Sequence, residues 1–149
     1  MSTACAFAHS EALGGATRDY FEAVARLTTL CNELRLLIRL AVATANHCRY
    51  CTAHQRHQLA GLGVSEAKIG AIWQPDSDAL TARERAAIRF AQAITLDASG
   101  IPELVYADFV REFTPQERVE VAIVATSMGM LNKLKTGCAC RSNPNSSPW

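Results

Sequence analysis

The chain has 149 residues, 49% of them hydrophobic, and a formal net charge of +1 from 15 basic and 14 acidic residues. This length suits one domain with a hydrophobic core and is too short for two. The basic residues are scattered along the chain, which argues against nucleic acid or an anionic membrane surface as a partner. The longest apolar run, 34–45, is too short to span a membrane and contains two arginines, so we expect a cytoplasmic protein.

Hydrophobic periodicity predicts helices along nearly the whole chain and no strand. In chain order, we expect helices at about 18–27, 32–45, 46–60 and 66–72, one that starts at 81, one at about 103–113 and one from 114 onward. Two of these helices begin with the capping-box pattern, at Thr81–Glu84 and Thr114–Glu117, and Pro115 stands at the first helical position of the second. The helix starts are therefore the best-defined local features of the sequence.

The predicted fold class is all-α, a compact helical domain that assembles into homo-oligomers. The segment from Val119 to Met130 is apolar on almost every side, which predicts a buried helix. A chain of this size has few other elements to cover such a helix, so we expect a second copy of the chain to cover part of it. We divide the chain into a flexible N-terminal segment (1–16), a helical domain (17–137) and a disordered tail (138–149).

Most of the reactive side chains lie in one short segment, 46–57, which contains two of the six cysteines and three of the four histidines. Cys48 and Cys51 are three residues apart, so on a helix their Cβ atoms lie about 5–6 Å apart. A small local adjustment brings such a pair to disulfide distance. Structural disulfides are rare in a reducing compartment, so this pair indicates redox turnover or metal binding.

The predicted start of this helix bears on the reactivity of the pair. If Asn46 caps the helix, Cys48 falls in the first turn, where free backbone N–H groups and the helix dipole favour a thiolate. His47 precedes Cys51 by four residues and His54 follows it by three, so either imidazole can contact that sulfur. We assign the catalytic role to His54, with Cys48 and Cys51, because an imidazole can both accept and return the proton near neutral pH.

Zinc is the main alternative for this segment. Four side chains have suitable ligand atoms and are spaced three residues apart: Cys48, Cys51, His54 and His57. On one helix this spacing turns the fourth ligand away from the first, so a single helix cannot enclose a tetrahedral ion. We therefore predict no metal and no cofactor, with His57 facing solvent.

The remaining cysteines lie outside this segment. Cys31 is expected to be a small core residue, and the others lie near the ends of the chain: Cys5, Cys138 and Cys140. The Cys-x-Cys tail is either incidental or able to exchange disulfides or bind soft metals.

Two stretches of the chain together resemble a known family. Residues 34–54 read Leu-Arg-Leu-Leu-Ile-Arg-Leu-Ala-Val-Ala-Thr-Ala-Asn-His-Cys-Arg-Tyr-Cys-Thr-Ala-His, and residues 113–124 read Phe-Thr-Pro-Gln-Glu-Arg-Val-Glu-Val-Ala-Ile-Val, followed by Met-Leu-Asn-Lys-Leu at 130–134. This combination resembles the AhpD-like alkylhydroperoxidases of the carboxymuconolactone decarboxylase superfamily. The resemblance implies an all-helical homo-oligomer whose CxxC pair reduces hydroperoxides or passes electrons to a peroxiredoxin. It also implies that Cys51 attacks the peroxide and that Cys48 resolves the product as a disulfide.

The chain departs from the family pattern at two positions. The relay histidine of the family stands four residues after the second cysteine, where this chain has Gln55, and His54 lies one position earlier. The relay glutamate stands twelve residues before the first cysteine, where this chain has Leu36. Glu33, one turn away, can replace it only if the helix presents its carboxylate inward.

We therefore predict a thiol-dependent peroxidase or disulfide reductase. Its partners would be a hydroperoxide substrate and a thiol or protein electron donor, without nucleic acid or a membrane. A carboxymuconolactone decarboxylase-like lyase is the first alternative, although such an enzyme needs no cysteine pair. A non-enzymatic redox or metal sensor is the second, favoured by the two departures from the relay.

Overall fold

The structure, a computed structural model, describes residues 11–27, 29–74 and 76–137. Within these ranges the chain forms α-helices and one short 3₁₀ helix, and contains no strand. The helices are α1 Glu11–Ala25, α2 Asn32–Ala45, α3 Arg49–Gly61, α4 Glu66–Gly70, α5 Ala82–Leu96, α6 Glu103–Glu112 and α7 Pro115–Gly137, with the 3₁₀ helix at Ala71–Trp73. The predicted all-α fold is confirmed. No helix in the described ranges is long and apolar enough to cross a membrane.

Helix α2 lies at the centre of the fold. It packs against α3, α5 and α7, and its inward residues are inaccessible to solvent: Leu37, Ile38, Leu40, Ala41, Val42 and Ala43. Phe109 of α6 extends this core by stacking on Phe90 of α5, with ring centroids 3.8 Å apart. Because α2 is enclosed on most sides, its C-terminal end is a fixed support for the cysteine segment that follows.

Both predicted capping boxes are present. The hydroxyl of Thr81 accepts a hydrogen bond from the Glu84 N–H at 3.2 Å, and the Thr81 N–H donates to the Glu84 carboxylate at 2.9 Å. Thr114 and Glu117 repeat this pair of bonds at 3.3 and 2.9 Å. These reciprocal bonds satisfy the first backbone donors of α5 and α7.

A lysine joins three helices on one side of the core. The Lys68 Nζ of α4 lies 2.6 Å from the Glu33 carboxylate of α2 and 2.7 Å from that of Glu84. Burial acts to lower the pKa of Lys68, but the two carboxylates outweigh burial and raise it. Burial acts to raise the pKa of Glu84, and the hydrogen bonds from Lys68 and Thr81 outweigh burial and lower it. The ion pair therefore contributes to holding α4 against α2 and α5.

The predicted burial of the last helix is wrong in part. Val121, Val124 and Met128 of α7 are buried, whereas Val119 is 58% exposed and Met130 is 38% exposed. The reason is that α7 packs against its neighbours along one face, so apolar residues on the opposite face remain accessible in a single chain.

Two further expectations differ from the structure, and others lie outside its described ranges. Cys31 is exposed and stands at the N-cap of α2, so its prediction as a core residue is wrong. Helix α1 begins at Glu11 rather than near residue 18, and residues 11–16 are helical. The tail at 138–149 and Cys5 lie outside the described residues.

Candidate functional site

The candidate site begins at the tight turn between α2 and α3. Asn46 is the C-cap of α2, and its Nδ2 donates to the Asn132 Oδ1 of α7 at 3.0 Å. His47 follows in the left-handed region, with φ 54°, and Cys48 is the N-cap of α3. The prediction that Asn46 caps α3 is therefore wrong, because this side chain is used to connect the end of α2 to α7.

The two cysteines of the CxxC motif are joined by a disulfide. Their Cα atoms are 5.3 Å apart, and the Cys51 N–H points at the Cys48 Sγ at 3.4 Å. Cys51 is only 5% exposed, whereas Cys48 is half-buried. Cys48 is thus the more accessible sulfur and lies where the N-terminus of a helix favours negative charge.

The histidines of the segment all lie on the solvent side. His47, His54 and His57 are exposed, and the His54 ring stacks on the Tyr50 ring with 6.2 Å between centroids and 9° between planes. Within the described part of the chain, no hydrogen bond joins an imidazole to either cysteine sulfur. The structure therefore brings Cys48 and Cys51 together and leaves His54 on the adjacent surface of α3.

Tyr50 connects this surface to the end of α7. The Lys135 Nζ lies over the Tyr50 ring, 2.7 Å from its centroid. Burial lowers the pKa of Lys135 from its ordinary value. The outer flank of the site is therefore a contact between α3 and α7 in which the Tyr50 ring meets both the Lys135 cation and the His54 ring.

Gln55, which stands where the family has its relay histidine, is buried inside the fold. It is 4% exposed, lies one turn after Cys51, and its Oε1 has no hydrogen-bond partner among the described residues. A shift of one residue on a helix turns the side chain by about 100°, so His54 and Gln55 cannot share the same direction. The buried face next to Cys51 therefore carries an amide rather than an imidazole.

Two clefts of ligand size lie near the site. The first encloses about 400 Å³ beside the turn and is lined by His47, Arg49, Arg56 and Trp73, with smaller residues of α2 and α3. The second encloses about 570 Å³ between the ends of α5 and α7 and is mostly apolar, with Lys133 as its one basic lining residue. Sequence reasoning found neither cleft, because Trp73 and Lys133 lie far from the cysteines along the chain.

The structure gives no support to a metal centre in the ranges it describes. Nowhere in 11–27, 29–74 and 76–137 do three or more His, Cys, Asp or Glu side chains come together in a way that could hold a metal ion. His54 and His57 point to solvent, so the four candidate zinc ligands do not converge.

The comparisons with known proteins assign the family. The profile of the carboxymuconolactone decarboxylase family matches residues 11–93, which include α1 to α3 and the cysteine pair. The chain belongs to this family. No curated protein sequence matches the chain.

Solved structures similar to this family member share its fold at low sequence identity. A protein of unknown function from Agrobacterium tumefaciens, ATU0492, with a suggested AhpD antioxidant role, has a TM-score of 0.80 and 23% identity and covers 92% of this chain and 93% of its own. The debrominase Bmp8 has a TM-score of 0.81 and 22% identity, over 89% and 72% of the two chains. The AhpD core of a peroxidase-related protein from Ralstonia eutropha JMP134 has a TM-score of 0.76 and 20% identity, over 93% and 74%. These likenesses establish an AhpD-like fold.

Neither relay position of the family carries an ionisable side chain here. Gln55 stands where the relay histidine is expected, and Leu36, 5% exposed, stands where the relay glutamate is expected. Glu33 does not replace it, because its carboxylate is paired with Lys68.

Proposed function

We propose that this protein is a thiol-dependent peroxidase or disulfide reductase that uses Cys48 and Cys51 as its redox pair. The observation that carries the proposal is the disulfide at the N-terminus of α3, in which Cys51 is buried and Cys48 is half-buried. In a family member with this pair, the more accessible Cys48 is the sulfur that an external thiol can reach.

The proposed cycle begins with both cysteines reduced. The Cys51 thiolate attacks the terminal oxygen of a hydroperoxide, the O–O bond breaks, and Cys51 becomes a sulfenic acid while the alcohol leaves with one proton. Cys48 then attacks the sulfenic sulfur, which forms the disulfide and releases water. A dithiol donor attacks Cys48 through a mixed disulfide and returns two electrons and two protons to the pair.

We assign to His54 the transfer of the thiol proton to the leaving alkoxide. In its position on the Tyr50 ring, the imidazole is one turn from Cys51 and accessible to water. A rotation of the side chain would let it accept the thiol proton and return it to the leaving alkoxide. Since Gln55 cannot take this role, we expect peroxide reduction that is slower than in family members that carry both relay groups.

The test of this proposal is to count free thiols before and after a stoichiometric pulse of cumene hydroperoxide. We expect the loss of two thiols per chain and a single cross-linked peptide that contains Cys48 and Cys51. Cys51→Ser should abolish peroxide consumption, and Cys48→Ser should form a sulfenic acid on Cys51 without turnover. Unchanged thiols after the pulse would contradict the peroxidase assignment.

Other reactions are distinguished by the same preparation. A decarboxylase-like lyase would process an acidic lactone whether or not the cysteines are alkylated. The debrominase Bmp8 has been solved with 2,3,4-tribromopyrrole. A protein with that activity would replace a bromine of such a pyrrole by hydrogen, with release of hydrogen bromide as the dithiol becomes a disulfide. A sensor would form the disulfide once and would not turn over with excess dithiol.

A further inference from the structure

We propose that the basic cleft beside the turn between α2 and α3, lined by His47, Arg49, Arg56 and Trp73, binds substrates that carry a carboxylate next to an aromatic or apolar group. This inference names the substrate class of the site and rests on the proposed function for the reaction itself. We call this cavity of about 400 Å³ the basic cleft. Its volume lies in the range of small-molecule sites.

The charged residues that line the basic cleft are all basic. None of its lining residues is acidic. Arg49 is exposed and takes part in no ion pair among the described residues. A guanidinium at the first position of α3 adds to the positive end of the helix dipole, so the charge at this point is not neutralised by the fold. An anionic group that enters the cleft is therefore attracted by both features.

Arg56 and Trp73 form the far wall of the basic cleft. The Arg56 guanidinium lies 5.7 Å from the centre of the Trp73 ring and is 2.6 Å from the Glu66 carboxylate. Because Glu66 already pairs with Arg56, this second arginine is partly neutralised and mainly serves to orient the indole. Trp73 is 54% exposed, which is unusual for so large an apolar ring. An indole face at this place fits the apolar part of a ligand.

His47 lines the basic cleft and directly precedes Cys48 in the chain. Its φ of 54° is in the left-handed region, which a non-glycine residue seldom adopts. Such backbone conformations concentrate at functional sites. His47 and Arg49 both line the basic cleft and flank Cys48 in the sequence, so a bound ligand lies next to the segment that carries the redox pair. The residues of the basic cleft would therefore position the ligand and take no part in the redox reaction itself.

The larger cleft between α5 and α7 is the alternative place for a substrate. Its walls are mostly apolar, and Lys133 is its one basic lining residue. This difference gives a matched control, since Lys133→Gln removes one positive charge from the larger cleft and Arg49→Gln removes one from the basic cleft.

The experiment compares two hydroperoxides with the same reacting group. Cumene hydroperoxide is neutral, and its para-carboxylate analogue is an anion. The second-order rate constant for oxidation of the reduced protein is measured with each, and the ratio of anion to neutral is the readout. We expect a ratio above one that falls about tenfold in Arg49→Gln, is retained in Lys133→Gln and collapses in high salt. A ratio of one in the unmodified protein, or a loss in Lys133→Gln alone, would overturn the assignment.

A binding measurement separates this inference from the reaction. Calorimetric titration of the oxidised full-length protein with 4-isopropylbenzoate and with 4-isopropylbenzamide needs no peroxide chemistry. Preferential binding of the benzoate that is lost in Arg49→Gln supports the basic cleft even if neither hydroperoxide reacts, in which case the proposed function fails and the cleft stands. Equal binding of the two compounds, or no binding of either, would contradict the proposed carboxylate site. It would not bear on the proposed redox role of Cys48 and Cys51.

Discussion

Replacement of Gln55 by histidine tests whether the missing relay base limits the reaction. Gln55 is buried one turn after Cys51, and its Oε1 has no hydrogen-bond partner among the described residues, so no hydrogen bond of that atom is lost in the exchange. The two side chains are of similar size, and substitutions that conserve volume are the best tolerated in a core. The new imidazole would lie against Cys51 on the inner face of α3.

The expected gain follows from what a positioned base contributes. General acid–base catalysis is worth about 10²-fold to 10⁴-fold. We expect the low end, about 10²-fold at pH 7, because the relay glutamate of the family is missing: Leu36 holds its position and Glu33 is paired with Lys68. Burial lowers the pKa of an imidazole, so Gln55→His would carry a neutral ring that can accept the thiol proton.

Stopped-flow oxidation of the reduced protein by cumene hydroperoxide, between pH 5 and 9, measures the effect. Gln55→Leu is the matched control, because it fills the same space and carries no base. Gln55→His should react about 10²-fold faster than both the unmodified protein and Gln55→Leu. If Gln55→His and Gln55→Leu react at the same rate while both fold normally, the absence of a base at this position does not limit the reaction.

Three further predictions concern the surface histidine, the ion-pair network and assembly. His54→Ala should slow peroxide attack by about 10- to 10²-fold, whereas an effect in His47→Ala alone would show that the wrong histidine was assigned. Glu84 has a lowered pKa in the fold, so its contribution is present above about pH 4.5 and is lost as the pH falls through the folded value. Glu84→Gln, which keeps the capping box, should therefore lower the free energy of unfolding by about 1 kcal/mol at pH 7 and by almost nothing near pH 2, as measured by urea titration. The exposed apolar face of α7 leads us to expect a homo-oligomer, and sedimentation equilibrium that finds only monomer at micromolar concentration would contradict it.

The features that sequence predicted well are those whose partners are close along the chain. The Thr81–Glu84 and Thr114–Glu117 boxes are hydrogen bonds between residues three apart, so the pattern alone specifies the geometry. The cysteine pair has the same spacing and is bonded in the structure. In each case, the local conformation brings the atoms together whatever the rest of the fold does.

The start of α3 could not be predicted locally. Asn46 is a good N-cap residue by type, but α2 extends to Ala45 and the Asn46 amide bonds to Asn132, which is 86 residues away along the chain. That contact exists only after α7 packs beside α2. The N-cap of α3 is instead Cys48. Cysteine is not among the residue types preferred at N-caps, so the sequence did not indicate it.

The orientation of α3 likewise depends on packing. The sequence pattern favoured His54 for the catalytic role because its imidazole can accept a proton. In the structure, the adjacent Gln55 faces the core and His54 lies at the surface. Hydrophobicity similarly favoured burial of Cys31 and Val119, and both are exposed. A single sequence contains the periodicity of each helix, but the face that a neighbour covers is set by contacts between helices.

The position of Cys48 at the N-cap has a consequence for redox cycling. In the oxidised pair, its sulfur already accepts the Cys51 N–H at 3.4 Å. After reduction, a Cys48 thiolate in the same place is a stronger acceptor for that N–H, because hydrogen bonds to a charged partner are stronger than neutral ones. A reduced Cys48 that kept this place would cap the start of α3 as the oxidised one does, so the proposed cycle would not require α3 to unwind. A disulfide that served only to hold the chain together would gain little here, since it closes a loop of only a few residues beside a helix end that is already fixed by Asn46 and Asn132. This placement supports the proposed redox cycle more than a purely structural role for the disulfide.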